Sequence, residues 1–168
     1  MKTFKLSLIF LLLVLLASLS VPAAFAGPQG PTIVDVAVTA NGGPGPDDGD
    51  FDTLIAAVLA ADPVVVQTLT GNGQFTVFAP TDLAFAEIGL NPNNIGDVPQ
   101  DVLTNILLFH VARGRRDASQ VVTSDQIRML NGDFAEVDGA TIDGANIILT
   151  DVFAANGVIH VVDQVLLP

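Results

Sequence analysis

Four turn signals in the last third of the chain constrain its fold more than any other feature. Asn131-Gly132, Asp138-Gly139, Asp143-Gly144 and Asn156-Gly157 separate short apolar or alternating segments from Ile127 onward. Asn or Asp followed by Gly supplies the positive-φ pair of a tight hairpin turn, so this region predicts an antiparallel meander.

The pattern upstream is mostly helical. Leu103, Ile106, Leu107 and His110 recur at i, i+3, i+4 and i+7, which predicts an amphipathic helix ending by Gly114. Another helix is expected from Asp52 as N-cap, with Leu54, Ile55, Val58 and Leu59 on one stripe, until Asp62-Pro63 ends it. Residues 64–69 carry conflicting signals: Asp62 as cap and Pro63 at the first helical position favour helix, whereas three consecutive valines favour strand. Residues 32–37 are too few for periodicity to decide. After the turn Gly71-Asn72-Gly73, residues 75–79 read as a buried strand closed by Pro80, and Thr81 and Asp82 offer caps for a short helix through Ile88. Helices in the first two thirds and a meander in the last third make an α+β domain, and 168 residues suffice for one such domain with a real core.

The N-terminus reads as an address label. Lys2 and Lys5 precede an apolar run over residues 6–19, and Val21-Pro22-Ala23-Ala24-Phe25-Ala26 supplies a small-residue cleavage pattern before Gly27. The run is short of the ~20 residues a spanning helix needs, so residues 1–26 are expected to be a cleaved signal peptide, 27–31 a flexible lead and 32–168 the domain. The chain has no cysteine, which excludes disulfides and an acylated lipoprotein Cys, and no apolar tail follows the last strand pattern. The expected location is extracellular or periplasmic, with no membrane span after cleavage.

Charge and missing side chains narrow the function. The formal charge is −12, and removal of residues 1–26 leaves four arginines against 18 acids, a charge of −14. Such a chain repels a phosphate backbone, so nucleic acid is not an expected partner. Beyond residue 26 there is no Lys, Cys, Tyr or Trp, which excludes Schiff-base and thiolate chemistry. Ser119 and Ser124 are the only serines there, and both fall in an expected polar loop rather than a Gly-x-Ser-x-Gly turn. His110 and His160 stand fifty residues apart, without a His-Glu-x-x-His zinc motif, and no glycine-rich phosphate loop occurs.

Two ordered motifs carry a resemblance. Phe75-Thr76-Val77-Phe78-Ala79-Pro80-Thr81-Asp82-Leu83-Ala84-Phe85 strongly resembles the first signature of fasciclin-like domains. Asn156-Gly157-Val158-Ile159-His160-Val161-Val162-Asp163-Gln164-Val165-Leu166-Leu167-Pro168 resembles the second, at the C-terminal end where that family carries it. Between them Leu107-Leu108-Phe109-His110-Val111 is similar to the family's Tyr-His segment, with Phe in place of Tyr, and Met129-Leu130-Asn131-Gly132 to its usual hairpin. The resemblance covers residues 32–168. It implies a wedge in which a two-sheet, β-sandwich-like core packs with a helical layer, and a secreted cell-adhesion or extracellular-matrix module that acts without catalysis.

The residues carry their own expectations beside that resemblance. Thr81 or Asp82 should satisfy free N–H groups at the helix start after the first signature. Period-2 alternation puts Val158, His160 and Val162 on one face and Ile159, Val161 and Asp163 on the other, with His160 half buried and hydrogen-bonded. His110 reads either as a satisfied core histidine or, with Phe109, as an interaction edge. The integrin-contact motifs of animal relatives do not carry over to Val162-Asp163-Gln164. Asp47, Asp48, Asp50 and Asp52 lie close enough to share Ca²⁺, or form a merely solvated loop that departs from EF-hand spacing; no other cofactor is indicated. Arg113, Arg115 and Arg116 form the one basic spot, suited to an acidic polysaccharide or protein partner or to neutralising nearby aspartates. Two function classes therefore compete: a secreted interaction module, and an exported small-ligand or metal-binding protein or enzyme using a cleft.

Overall fold

The computed structural model describes residues 30–40 and 51–168. Residues 1–29, which include the expected signal peptide and most of the lead, fall outside the described residues, as do Asp47, Asp48 and Asp50 of the acidic loop. Three helices precede the first strand: α1 (Ile33–Ala40), α2 (Asp52–Ala60) and α3 (Pro63–Thr70), then β1 (Phe75–Pro80). α4 (Asp82–Glu87), a 3-10 turn at Ile95–Asp97 and α5 (Gln100–Phe109) lead to β2 (Val111–Arg113) and α6 (Ala118–Val122). The remaining strands are β3 (Gln126–Arg128), β4 (Phe134–Asp138), β5 (Thr141–Ile142), β6 (Ala145–Ala154) and β7 (Gly157–Val162).

The strands lie in the order β2-β1-β7-β6-β5-β4-β3, and β3 through β7 form the expected antiparallel meander. β7 then pairs parallel with β1, from Phe75↔Gly157 to Pro80↔Val162, so the two signature segments lie side by side in the middle of the sheet. A further bridge, Ala112↔Met129, joins β2 to the residue after β3 and brings the two ends of the strand order together. The sheet is thus rolled over on itself, which is how a single strand order makes a sandwich-like core.

Alternation along β1 and β7 sorts their side chains between two cores. Phe75, Val77, Ala79, Ile159 and Val161 pack against the helical layer, with Leu54, Val65, Leu103 and Leu107. The second core fills the inside of the roll and takes a residue from every strand: Phe78, Ala112, Ile127, Ala135, Ile142, Ala145 and Val162, in order from β1 to β7.

Local chemistry explains most boundaries. Thr32 and Asp35 exchange hydrogen bonds at the start of α1, Thr32 N–H donating to Asp35 Oδ2 at 2.8 Å and Asp35 N–H to Thr32 Oγ1 at 3.3 Å. The conflict at residues 64–69 is resolved as helix, with Val64 N–H donating to Asp62 Oδ1 at 2.8 Å and Pro63 at the first position. Asp143 and Gly144 both have positive φ, +48° and +84°, the pair that a tight hairpin turn demands.

Several expectations need correction. α2 opens with Asp52 in its first turn after Phe51, not with Asp52 as cap, and it buries Thr53, Leu54 and Ala57 while Leu59 is 76% exposed. α5 ends at Phe109, with His110 as its C-cap, so Arg113 belongs to strand β2 rather than to a helix end. The polar stretch holding Ser119 is helix α6, opened by a capping box between Asp117 and Gln120. Gly157 is not part of a positive-φ pair: it begins β7, where a Cβ would lie 2.1 Å from Phe75 O and 2.7 Å from Ile33 Cδ1. Its preceding residue Asn156 is a buried clamp, accepting from Ile33 N–H at 2.8 Å and donating to Leu69 O at 2.6 Å.

Candidate functional site

The three arginines lie on β2 and on the loop that joins it to α6, and core residues of both signatures hold that loop in place. Thr76 of β1 is fully buried; its hydroxyl donates to Gly114 O at 2.8 Å and accepts from Arg116 N–H at 2.9 Å. His160 of β7 lies 2.9 Å from Arg116 O through Nε2, and its Nδ1 accepts from Asp151 N–H at 3.3 Å. An amide can only donate, so Nδ1 is the acceptor and the proton sits on Nε2, where it donates to Arg116 O. Asp151 in turn accepts from Ala118 N–H at 2.9 Å, at the first position of α6. Asp151 has φ of +60° within an irregular stretch of β6, which turns its backbone N–H toward His160.

His160 is therefore fully buried rather than half buried, stacked on Phe78 with ring centroids 5.6 Å apart. Its role is to position the arginine loop from beneath. Thr76 and Asp151 share that role, and sequence reasoning missed both because their partners are 33 to 40 residues away in the chain.

Above this support Arg113 and Arg115 are exposed and Arg116 is partly covered. The Arg115 guanidinium carbon stands 4.4 Å over the ring centroid of Phe153, an exposed aromatic residue of β6. Arg115 thus rests on an aromatic platform. Arg116 Nε is buried without a hydrogen-bond partner. Asp117, next in sequence, accepts from Ser119 Oγ at 2.6 Å and from Gln120 N–H at 3.0 Å, and these bonds, the serine's first, hold its carboxyl below the usual range.

Phe109 and His110 are 3% and 2% exposed, so the interaction edge expected at these two side chains is not on the surface. Leu166 N–H donates to His110 Nε2 at 3.0 Å, which leaves the proton on Nδ1 to donate to Ile106 O at 2.8 Å. Burial pushes the His110 pKa down to about 4, against a smaller upward effect of the Ile106 carbonyl. The two histidines are thus buried in opposite tautomers with every ring nitrogen engaged.

The remaining predicted residues act in the frame. Thr81 Oγ1 accepts from Ala84 N–H at 3.3 Å and caps α4, whereas Asp82 Oδ1 accepts from Thr53 N–H at 2.8 Å and caps α2. Asp163 ties β7 to β6, accepting from Asn146 N–H at 2.8 Å and Asn146 Nδ2 at 2.7 Å. Asp52 lies in the first turn of α2, and Asp47, Asp48 and Asp50 fall outside the described residues. Among the described residues no three His, Cys, Asp or Glu side chains gather as a metal site, and no single helix is long and apolar enough to cross a membrane.

Comparison with known proteins agrees with this architecture. The chain is 44% identical over 124 residues to protein sll1483 of Synechocystis, covering 70% of this chain and 67% of that protein. It is 37% identical over 142 residues to protein sll1735 of the same organism, covering 82% of this chain and 98% of that one. A FAS1 domain pair from the insect cell adhesion molecule Fasciclin I superposes with a TM-score of 0.55 at 19% identity, over 71% of this chain and 46% of that structure, and so shares the fold. The profile of the Fasciclin domain family matches residues 49–168, which hold both signature segments, the arginine loop and the histidine beneath it. The chain belongs to the Fasciclin domain family.

Proposed function

We propose that this protein is an exported, non-catalytic adhesion or matrix-interaction module that engages an acidic surface or matrix partner through Arg113, Arg115 and Phe153. The observation that carries this reading is the exposed Arg115–Phe153 stack on a loop anchored to the core by Thr76, His160 and Asp151. Arginine and aromatic side chains on a pre-organised loop supply directional contacts at low ordering cost. The adhesion role draws on membership of the Fasciclin family and on the likeness to an insect cell adhesion molecule. Export rests on residues 1–26, whose basic start, apolar run and small-residue end have the form of a signal peptide.

Charge selects the kind of partner. With −12 on the chain and four arginines in all, a long polyanion is repelled outside the loop, so a compact acidic patch on a protein fits better than an extended acidic polysaccharide. A non-catalytic role is supported by the chemistry of the histidines, which are buried with both ring nitrogens engaged, and of Ser119, whose hydroxyl is bonded within the α6 cap.

The test is attachment of the protein to a native surface or matrix fraction, with an alginate resin as the polysaccharide arm. Reversing Arg113 and Arg115 to Glu should abolish salt-sensitive attachment to the fraction while leaving the thermal melt within ~0.5 kcal/mol of the parent. Undiminished attachment of a folded double variant overturns the proposed surface. Retention on alginate as strong as on the fraction shifts the partner class to polysaccharide.

A further inference from the structure

Between α1, α2 and the sheet lies a cavity of about 300 Å³, on the opposite side of β1 and β7 from the rolled core. Its walls come from Ile33 and Ala37 of α1, Leu54 and Val58 of α2, and Val152 and Ile159 of the sheet. Val38, Leu59 and Leu149 belong to the same lining yet are 52%, 76% and 54% exposed, which puts large aliphatic side chains at its mouth. His110 also borders it, but both ring nitrogens are already bonded, to Ile106 O and Leu166 N–H, so the wall offers no free polar group from that side chain.

We propose that this cavity is a binding site for an uncharged hydrocarbon ligand. Volume and lining set the class: cavities of this size hold small molecules, and a wall whose described side chains offer no free polar anchor selects an apolar one. A hydrocarbon restores the dispersion contacts that the wall side chains forgo across the cavity.

Charge excludes an anionic amphiphile. Among the described residues no Lys or Arg lines the cavity, while Asp35 stands on α1 and Asp52 begins α2. A carboxylate or phosphate head group drawn into this lining leaves water and meets no cationic side chain among the described residues.

The experiment uses protein recovered from expression of the full chain and the uncharged fluorescent probe N-phenyl-1-naphthylamine. Probe fluorescence should rise saturably, and 1-dodecanol should displace it while dodecanoate at the same concentration and pH 8 should not. Ala37→Phe fills the cavity from α1 and should weaken probe binding by roughly tenfold or more. Val38→Asp at the exposed mouth serves where Ala37→Phe fails to fold and should weaken it similarly, whereas Leu83→Ser on the exposed face of α4, outside the lining, should not. Absence of saturable uptake overturns the site, as does uptake unchanged in both folded variants. Displacement by dodecanoate as effective as by dodecanol overturns the restriction to uncharged ligands. Uptake blocked by concentration-dependent self-association would make a second copy the occupant, and uptake seen only after loss of residues 1–26 would make it the chain's own apolar leader; either overturns the proposal. None of these readouts depends on Arg113 or Arg115, so the attachment test and this one fail separately.

Discussion

The carboxylate of Asp82 receives the Thr53 amide at 2.8 Å, so the first residue of α4 caps the first turn of α2, 29 positions earlier in the chain. Its neighbour Thr81 caps α4 itself. One Thr-Asp pair after the signature strand thereby closes two helix ends and locks the helical layer to β1. Asp82→Ala should destabilise the domain by about 1 kcal/mol and speed amide exchange in the first turn of α2, whereas Thr81→Ala should speed it in α4. Hydrogen exchange by mass spectrometry separates the two, and faster exchange confined to α4 in the Asp82 variant would contradict the cross-cap.

His110 makes stability depend on pH. Its folded pKa, about 4, lies below the unfolded value near 6.5, so the neutral ring stabilises the native state fully above pH 6.5 and that contribution is lost as pH falls toward 4. The expected loss over this window is on the order of 3 kcal/mol. Urea unfolding at stepwise pH should show the decline, and His110→Gln should flatten it while lowering stability at pH 7 by about 1–3 kcal/mol. An unchanged slope in the folded variant would assign the decline to other groups.

Gly157 tests the close seating of β7 on β1. A Cβ at this position meets Phe75 O at 2.1 Å, so Gly157→Ala must spread the parallel pair and should destabilise by about 3 kcal/mol or more. Gly139, with φ of +60° and nothing within 4 Å of a built Cβ, is the control: Gly139→Ala should lose only about 1–2 kcal/mol, from backbone conformation alone. Deleting residues 156–168 should leave no cooperative melt, since Val158, Ile159, Val161 and Leu166 are each buried side chains worth ~1.5–3 kcal/mol. Similar melts for the two alanine variants would refute the seating argument.

Salt should stabilise this protein. A charge of −12 with four arginines leaves mostly like-charge repulsion in the compact state, which added ions screen. The melting temperature should climb between about 20 mM and 200 mM sodium chloride, where the screening length falls most. A melt that falls with salt would mean that attractive pairs outweigh the repulsion.

Elements with a local chemical signature were legible in the sequence. The Asp62-Pro63 start of α3, the Asp143-Gly144 turn and the alternation through β7 all depend on residues that are neighbours in the chain. α2 was misread on its buried face because its nine residues, Asp-Thr-Leu-Ile-Ala-Ala-Val-Leu-Ala, are apolar nearly all round, and the face chosen for close packing is the one with small Ala57. α6 was hidden by its polarity, although Asp117 and Gln120 stand at capping-box spacing. The site was half legible. The arginines stand out as the basic residues of an acidic chain, but Phe153 was invisible as the platform of Arg115 and Thr76, Asp151 and His160 as the support of the loop, because contacts across 33 to 44 residues follow from strand order and not from local pattern.

The bridge from Ala112 to Met129 bears on how any partner can bind. Leu130 N–H also donates to Val111 O at 2.7 Å, so the terminal strand β2 spends hydrogen-bonding groups inside the molecule instead of presenting a bare edge. Strand addition, in which a foreign peptide extends a sheet by main-chain pairing, is thereby blocked along the side of β2 that faces this junction. The same closure removes a template for chains to zip onto one another, a useful property for a cysteine-free protein that is dominated by strands in its last third. Recognition at that end of the sheet therefore falls to side chains, and specificity can be rewritten there by substitution without rebuilding the backbone.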